Sequence, residues 1–286
     1  MTTVLELDPT AAAAVSRAVD ALAGRRIAVL TGAGVSTDSG IPDYRGQGAP
    51  RRTPMTAQQF LASEAARRRY WVGSHLGWRA FAASQPNAGH DALVDLERAG
   101  LAAGIITQNV DGLHVRAGNR RVVELHGTMR RVQCTHCGQV FDRRDLAQRV
   151  EAANPWITVP ENIALGPDGD VLPSSSDGFV IPDCTVCGGL LKPDVVFFGE
   201  SVPRALVDDA ARSLEAADAM LVVGSSLMVY SGYRFCEWAA KSGKPIAAIN
   251  IGKTRADALL ALKVEAPCSD ALERLIEHLD ARPVTR

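Results

Sequence analysis

Two Cys-x-x-Cys pairs constrain the fold of this chain more than any other feature of its sequence. Cys134 and Cys137 form the first pair, and Cys184 and Cys187 form the second. The chain is long and its first residues have no secretion-signal pattern, so a metal site is favoured over disulfides. Four thiolates are a ligand set that tetrahedral Zn²⁺ prefers, and they leave no open coordination position. The sequence therefore predicts one structural zinc ion held by both pairs.

Residues 131–192 hold both pairs together with many prolines and glycines, and we interpret them as an inserted module. Outside this module, short apolar runs alternate with segments of helical spacing, which is typical of a parallel sheet covered by helices. Strands are predicted at 26–31, 103–106, 122–125, 195–198, 220–224 and 245–250. Helices are predicted at 10–23, across 56–84, and at 87–100, 203–217, 234–241 and 269–279.

This pattern predicts an α/β fold, namely a Rossmann-like doubly wound parallel sheet with a smaller inserted zinc-binding and helical domain. We expect the sheet domain to comprise residues 1–45, 86–130 and 193–286. The small domain is expected to combine a helical insertion, residues 46–85, with the zinc-ribbon insertion, residues 131–192.

Composition disfavours several classes of partner without excluding a local binding surface for them. The 286 residues include 47% hydrophobic ones, which is ample for a full core. The net charge is −1 and the pI about 6.6, so no overall positive field attracts nucleic acid or an anionic membrane. Apolar runs are all much shorter than the roughly 18 residues that a membrane span needs. We expect a cytoplasmic monomer without nucleic-acid or membrane partners.

The sequence Gly32-Ala33-Gly34 follows the first predicted strand and allows close approach of a pyrophosphate to the backbone. Alone it is a weak signal, because an ordinary tight turn has the same composition. Thr37 stands where the dinucleotide fingerprint has its third glycine, and a second strand ending in an acidic residue does not follow. These departures disfavour a nicotinamide dehydrogenase.

Polar residues follow other predicted strands, where ligands bind in open α/β sheets. Gln108, Asn109 and Asp111 follow one strand, and His126 follows the next; Asp43 and Arg45 come after the glycine loop. Each has a simpler interpretation: a core histidine, a β-turn at 109–112, and a surface ion pair. Their common position favours a site, with His126 as the candidate catalytic residue.

Several motifs together resemble the sirtuin family of NAD-dependent protein-lysine deacylases, over about residues 26–270. They occur in one order: Gly32-Ala33-Gly34-Val35-Ser36, Gly40-Ile41-Pro42-Asp43-Tyr44-Arg45, Thr107-Gln108-Asn109-Val110-Asp111, His126-Gly127, the two cysteine pairs, Lys192-Pro193-Asp194-Val195-Val196-Phe197-Phe198-Gly199-Glu200 and Gly224-Ser225-Ser226-Leu227. Tyr44, Ser225 and residues 229–232 resemble the class II branch, which contains the mitochondrial lipoamidase-type enzyme.

The resemblance implies that NAD lies between the two domains and that the acyl-lysine enters from the opposite side. It implies catalytic roles for His126, Asn109 and Asp111. It implies NAD contacts from Gly32, Ala33, Gly34, Asp43, Tyr44, Arg45, Gln108, Asn109, Asp111, Gly224, Ser225, Ser226, Asn250, Ile251, Gly252 and Cys268. Substrate contacts are implied for Val196, Phe197, Gly199 and Glu200, with residues 195–198 pairing with an extended substrate backbone and residues 229–232 on its other side.

The implied reaction transfers the acyl group of a protein lysine to ADP-ribose and releases nicotinamide. His126 acts as general base on a ribose hydroxyl, which suits an imidazole whose unperturbed pKa is about 6.5. Tyr44 is expected to exclude water, which would otherwise hydrolyse NAD. The product is 2′-O-acyl-ADP-ribose. Mono-ADP-ribosyl transfer to protein, from the same NAD site, is the alternative.

Two further expectations concern the zinc module. A zinc-ribbon nucleic-acid binder would use Arg130, Arg131, Arg143 and Arg144, although these more simply form a solvated face. The segment 154–182 is too long for an ordinary connection and too apolar for a solvated linker. It either walls the acyl channel or covers only the module's own core, and the sequence favours neither.

Overall fold

The computed structural model describes residues 7–46, 53–159 and 163–280 of the chain. The strands are β1 Ile27–Thr31, β2 Ala102–Thr107, β3 Val122–Glu124, β4 Gly127–Cys134, β5 Val140–Asp142, β6 Leu191–Val195, β7 Ala219–Val223, β8 Ile246–Ile249 and β9 Leu262–Val264. The helices are α1 Pro9–Leu22, α2 Ala57–Ala62, α3 Glu64–Ala83, α4 Ala88–Arg98, α5 Leu113–Ala117, α6 Arg143–Ala153, α7 Arg204–Glu215, α8 Tyr230–Lys241 and α9 Cys268–Asp280. Short 3₁₀ helices lie at Ala33–Ser39 and Asp257–Leu259.

The main sheet is parallel, with strand order β3-β2-β1-β7-β8-β9. The order reverses direction at β1, so the carboxyl ends of β1 and β7 border a topological switch point, where ligands bind in sheets of this kind. Successive residues of β1 point to opposite faces: Ile27 and Val29 pack under α1, α4 and α9, whereas Ala28 and Leu30 pack under α7 and α8. The predicted doubly wound fold is confirmed.

A second, smaller sheet is antiparallel, with order β5-β4-β6. Its core is shared with the helical insertion, since Phe60 of α2 and Trp71 of α3 pack with Val132, Leu191 and Cys184. The two insertions predicted from sequence therefore form one packed unit. Within the described residues, no helix is both long and apolar enough to cross a membrane.

The apolar run 195–198 is not the strand that its composition predicts. The strand is Leu191–Val195, it belongs to the small sheet, and the chain turns after it. Phe197 is buried in the small core, its N–H donates to Glu200 Oε2 at 2.8 Å, and the Phe198 carbonyl accepts from Ala57. Burial of an aromatic side chain, rather than pairing in the main sheet, explains the apolar run.

Arg143 contradicts the interpretation of its arginine group as a solvated face. Its side chain is fully buried, with the guanidinium 5.4 Å from the Trp71 ring and 4.8 Å from the Trp78 ring. Burial lowers its pKa to about 10. Stacking on two indoles is a favourable environment for a desolvated guanidinium. Arg130, Arg131 and Arg144 are exposed as expected.

Two buried histidines behind the switch point give the fold a pH dependence. His90 of α4 and His114 of α5 lie with ring centroids 4.8 Å apart, and His114 Nε2 is 2.9 Å from Thr31 Oγ1. Burial lowers the pKa of His90 from 6.5 to about 4 and that of His114 well below 6.5. The unfolded chain therefore binds protons at a higher pH than the folded chain. Between pH about 6.5 and about 4, acid favours unfolding.

We expect His90 alone to lower the unfolding free energy by about 2 kcal/mol between pH 7 and pH 5. His90→Gln removes the titration and keeps the capping box that His90 makes with Asn87, because glutamine suits that position. Denaturant unfolding of both proteins at several pH values isolates the effect as a difference in slope. His278→Gln, at an exposed position, is the control. Parallel pH profiles for wild type and His90→Gln would contradict the assignment.

Candidate active site

A large crevice of about 1340 Å³ opens at the carboxyl ends of β1, β2, β7 and β8. It is bordered on its other side by α3 and by the segment that follows β6. Most site residues predicted from sequence line it: Gly32, Ala33, Gly34, Asp43, Tyr44, Arg45, Gln108, Asn109, Asp111, His126, Val196, Phe197, Gly199, Glu200, Gly224, Ser225, Ser226, Asn250, Ile251 and Gly252. Cys268 instead lies buried at the start of α9, and burial raises its pKa to about 12.

The glycine loop is held tightly against the end of β7. The Gly32 N–H donates to Val223 O at 3.0 Å, and the Gly34 N–H donates to Gly224 O at 2.9 Å. A Cβ on Gly32 would lie 2.8 Å from Gly224 O, and one on Gly34 would lie 2.9 Å from Gly224 Cα. Close backbone packing thus requires these glycines. Their own N–H groups are used within the protein.

His126 has a defined proton arrangement. Its Nδ1 lies 2.9 Å from the Gln108 carbonyl oxygen, which can only accept a hydrogen bond, so Nδ1 carries a proton. Its Nε2 lies 2.8 Å from Ser231 Oγ. Burial lowers the pKa of His126, while the bond to Gln108 acts in the opposite direction. The neutral ring presents a lone pair on Nε2, as a general base requires.

Asn109 and Asp111 belong to a buried polar cluster beside the glycine loop. Ser36 Oγ donates to Asp111 Oδ2 at 2.8 Å, and Asn109 Nδ2 donates to Ser36 Oγ at 3.1 Å. The Leu113 N–H donates to Asp111 Oδ1 at 2.8 Å. Burial raises the pKa of Asp111, and these hydrogen bonds oppose that effect. The cluster fixes both side chains at the crevice wall.

Side chains that follow β7 and β8 also line the crevice. Ser225 Oγ donates to Gln108 Oε1 at 2.6 Å, and Arg45 donates to Ser226 Oγ at 3.3 Å. Asn250 Nδ2 donates to the carbonyls of residues 251 and 252 at 2.8 and 3.3 Å. The first two bonds join the segment after β7 to the end of β2 and to Arg45.

The four cysteines of the two pairs come together in the small domain. Their sulfur atoms all lie within 4.8 Å of one another. Cys134 Sγ is 3.6 Å from Cys187 Sγ, and Cys137 Sγ is 3.8 Å from Cys184 Sγ. Gly138 and Gly188, at φ 75° and 70°, allow the chain to turn after each pair. Four converging sulfurs fit tetrahedral zinc, as predicted, and His136 is not needed as a ligand.

The segment between the cysteine pairs packs partly in the core of the small domain and partly along the crevice. Phe179 packs in the core of the small domain, whereas residues 167, 168 and 170–173 line the crevice. The Val171 N–H donates to Gly73 O at 3.1 Å, and the Gly169 carbonyl lies where a Cβ on Gly77 would be. Glycines of α3 thus allow this segment to cross the helix closely. Residues 160–162 of the segment lie outside the described residues.

Two crevice residues were missed by sequence reasoning. Asp168 accepts a hydrogen bond from the Tyr44 hydroxyl, and burial raises the pKa of Asp168 to about 6. Ser231 contacts His126, as described above. Both contacts join residues more than a hundred positions apart in the chain, so no local pattern indicates them.

Comparisons of the sequence and of the fold with known proteins point to one family. The model of the Sir2 family matches residues 32–231. "NAD-dependent protein deacetylase 1" of Mycobacterium avium is 51% identical over 269 residues, which cover 93% of this chain and 95% of that protein. "NAD-dependent protein deacetylase 1" of Streptomyces coelicolor is 50% identical over 267 residues, or 92% and 89% of the two chains. Among solved structures, "Sir2-p53 peptide-NAD+" superposes with a TM-score of 0.76 at 30% identity, covering 92% of this chain and 97% of that one.

Proposed function

This chain belongs to the Sir2 family, and from that membership we propose that it is an NAD-dependent protein-lysine deacylase with His126 as general base. One observation carries the proposal: a neutral, buried histidine, whose basic Nε2 is bonded to Ser231 Oγ, lies in the lining of a crevice together with the residues that the family resemblance assigns to NAD. We further propose the class II branch, on Tyr44, Ser225 and residues 229–232.

The crevice fits NAD in size and in chemistry. Its volume of about 1340 Å³ exceeds that of a typical small-molecule pocket, roughly 300–1,000 Å³, and leaves room for both a dinucleotide and an acyl-lysine side chain. Arg45 supplies a cation beside the glycine loop, and Asn250 lies at the end of β8. When bound, NAD supplies the ribose that takes up the acyl group as nicotinamide departs.

His126 accepts the proton of a ribose hydroxyl at Nε2, while its Nδ1–H remains bonded to the Gln108 carbonyl. Its lowered pKa keeps the base unprotonated at neutral pH. Tyr44 limits the access of water to the crevice. Its ring contacts the Phe198 ring edge-on, with the ring centroids 6.4 Å apart, and its hydroxyl donates a hydrogen bond to Asp168. Excluding water directs the reaction toward the acyl-lysine rather than toward hydrolysis.

On the substrate side, the segment after β6 is held in place before any peptide binds. The Val196 N–H donates to His126 O at 2.8 Å, and Lys192 forms an ion pair with Glu200 at 2.9 Å. Phe198 is 39% exposed at the crevice mouth. We propose that an extended substrate backbone lies along this segment, which suits acyl-lysines in proteins of varied sequence. We also propose that the enzyme acts as a cytoplasmic monomer.

The test is incubation with NAD and acyl-lysine peptides, followed by mass spectrometry of the products. Deacylated peptide, nicotinamide and free 2′-O-acyl-ADP-ribose support the proposal. Stable labelling of an acceptor protein by labelled NAD, without deacylation, supports mono-ADP-ribosyl transfer instead. Both reactions are compatible with membership in the Sir2 family, so the identity of the product is what distinguishes them.

We propose that Asp168 and its segment determine which acyl groups fit. A carboxylate with a pKa of about 6 is mostly ionised at neutral pH, and it lies in the crevice next to Tyr44. It should repel acyl groups that end in a carboxylate. Asp168→Asn keeps the size and an acceptor for the Tyr44 hydroxyl. We expect the variant to raise kcat/KM for acidic acyl groups, relative to acetyl, by roughly tenfold.

Asp177→Asn is the matched control, because Asp177 lies in the same segment and is exposed. The measurement is a panel of lysine peptides bearing acetyl, acidic, branched, lipoyl and long-chain acyl groups. The same ranking of acyl groups in wild type and Asp168→Asn would exclude this role for Asp168.

A further inference from the structure

The first turn of α8 places the hydroxyl of Ser231 within hydrogen-bond distance of Nε2, the basic nitrogen of His126. Ser231 Oγ lies 2.8 Å from His126 Nε2, and Ser231 is 9% exposed. Ser231 lies inside the helix rather than at its N-cap, which is Val229, so its hydroxyl is not needed to cap the helix. Its contact with the imidazole therefore calls for a separate explanation.

The direction of this hydrogen bond follows from the other side of the ring. The Gln108 carbonyl can only accept, so it takes the proton on Nδ1. In the neutral ring, Nε2 then has a lone pair and no proton. The Ser231 hydroxyl must be the donor to Nε2.

The fold holds both partners of His126 in place. Gly232 follows Ser231 and packs against the Gln108 side chain: a Cβ there would lie 2.5 Å from Gln108 Nε2, so a larger residue would displace the end of that side chain. The Gln108 side chain is fixed in turn by Ser225 Oγ at 2.6 Å. The imidazole is thus held by one hydrogen bond to the start of α8 and one to the residue that follows β2.

We propose that Ser231 is a positioning residue for His126. Its hydroxyl fixes the ring plane and occupies the Nε2 lone pair in the unliganded protein, until the hydroxyl that is to be deprotonated replaces it. Only that last step rests on the proposed function. The bond itself is a property of the unliganded protein.

The bond has a consequence for protonation. The Ser231 hydroxyl donates to the neutral ring, and it can rotate to accept a hydrogen bond from Nε2–H of the imidazolium. The second bond is charge-assisted and therefore the stronger of the two. Arg234, one turn further along α8, is the charged group that acts on the ring, and it disfavours the imidazolium. Burial acts in the same direction as Arg234, whereas the Gln108 carbonyl opposes it. Removing the Ser231 hydroxyl should therefore lower the pKa of His126 further.

The first measurement needs neither NAD nor activity. The imidazole carbon-bound proton of His126 is followed by NMR through a pH titration, with His126→Gln identifying its signal among the six histidines. We expect Ser231→Ala to lower the pKa of His126 by roughly 0.5–1 unit, the excess of a charge-assisted hydrogen bond over a neutral one. Ser231→Thr, which retains the hydroxyl, should restore the wild-type value. Ser242→Ala, at the exposed C-terminal end of α8, is the control.

The second measurement is the pH profile of kcat/KM for deacylation. In Ser231→Ala the acidic limb should move to lower pH by the same amount, so that the ratio of variant to wild-type activity is larger at about pH 6 than at about pH 8.5. A role in folding alone would lower activity equally at both pH values. An unchanged His126 pKa in folded Ser231→Ala, or a Ser231→Thr variant that behaves like Ser231→Ala, would overturn the proposal. A wild-type protein without deacylase activity would refute the proposed function and leave the NMR result intact.

Discussion

Replacing His126 with Ala is expected to lower deacylation by about 10²–10⁴-fold or to abolish it. The reason is that Nε2 of this ring is the basic atom that the geometry places in the crevice, fixed on both sides by Gln108 and Ser231. His126→Tyr should be equally inactive. NAD binding and the thermal unfolding midpoint should remain near wild type, because the fold does not depend on the imidazole.

The measurement combines steady-state deacylation with NAD binding by calorimetry and with thermal unfolding. His278→Ala is the matched control, since His278 is exposed on α9, outside the lining of the crevice. Substantial deacylation by a folded His126→Ala protein would show that another group takes the proton.

Replacing Cys184 with Ser is expected to remove zinc and to destabilise the small domain. A structural zinc site contributes roughly 10–16 kcal/mol of apparent binding free energy, and that free energy is folding free energy. The destabilisation should extend to the helical insertion, because Cys134 and Cys184 lie in the same core as Phe60 and Trp71 of that insertion. The crevice wall formed by α3 and by residues 167–173 should then be lost as well.

Metal content by plasma mass spectrometry should fall from one zinc per chain to a small fraction of that. Unfolding followed by tryptophan fluorescence should report the change, because Trp71 and Trp78 lie beside the small-domain core. Cys236→Ser is the control: Cys236 is buried under the main sheet, so this variant is expected to lose some stability and keep its zinc. A soluble, zinc-free and fully active Cys184→Ser enzyme would contradict the structural role.

The parallel sheet could be predicted from sequence because its strands are buried on both faces. Such strands have nearly continuous apolar runs, as in 27–31 and 219–223, and the helices between them have clear start and stop signals. The small sheet could not be predicted in the same way. Its strands have irregular burial patterns that mix buried with exposed or partly buried residues, and β6 contains Pro193. The three-residue strand β9 is too short to give a pattern.

The candidate site was predictable to the extent that it follows strand ends. Gln108, Asn109 and Asp111 follow β2 and His126 follows β3, and they lie beside the glycine loop after β1 because the carboxyl ends of parallel strands share one edge. Asp168 and Ser231 come from an irregular segment and from the interior of a helix. Their roles depend on which distant residues they meet, and a single sequence carries no record of such contacts.

The way the glycine loop sits on β7 changes how substitutions there should be interpreted. Gly224 occupies the space that a side chain on Gly32 or Gly34 would need, and both glycines donate their N–H groups to carbonyls at the end of β7. A side chain at either position would push apart β1 and β7, the third and fourth strands of the sheet order, where they border the crevice. A loss of activity in such a variant would therefore indicate that β1 and β7 have separated at the edge of the crevice. It would give no information on how the glycine loop contacts phosphate.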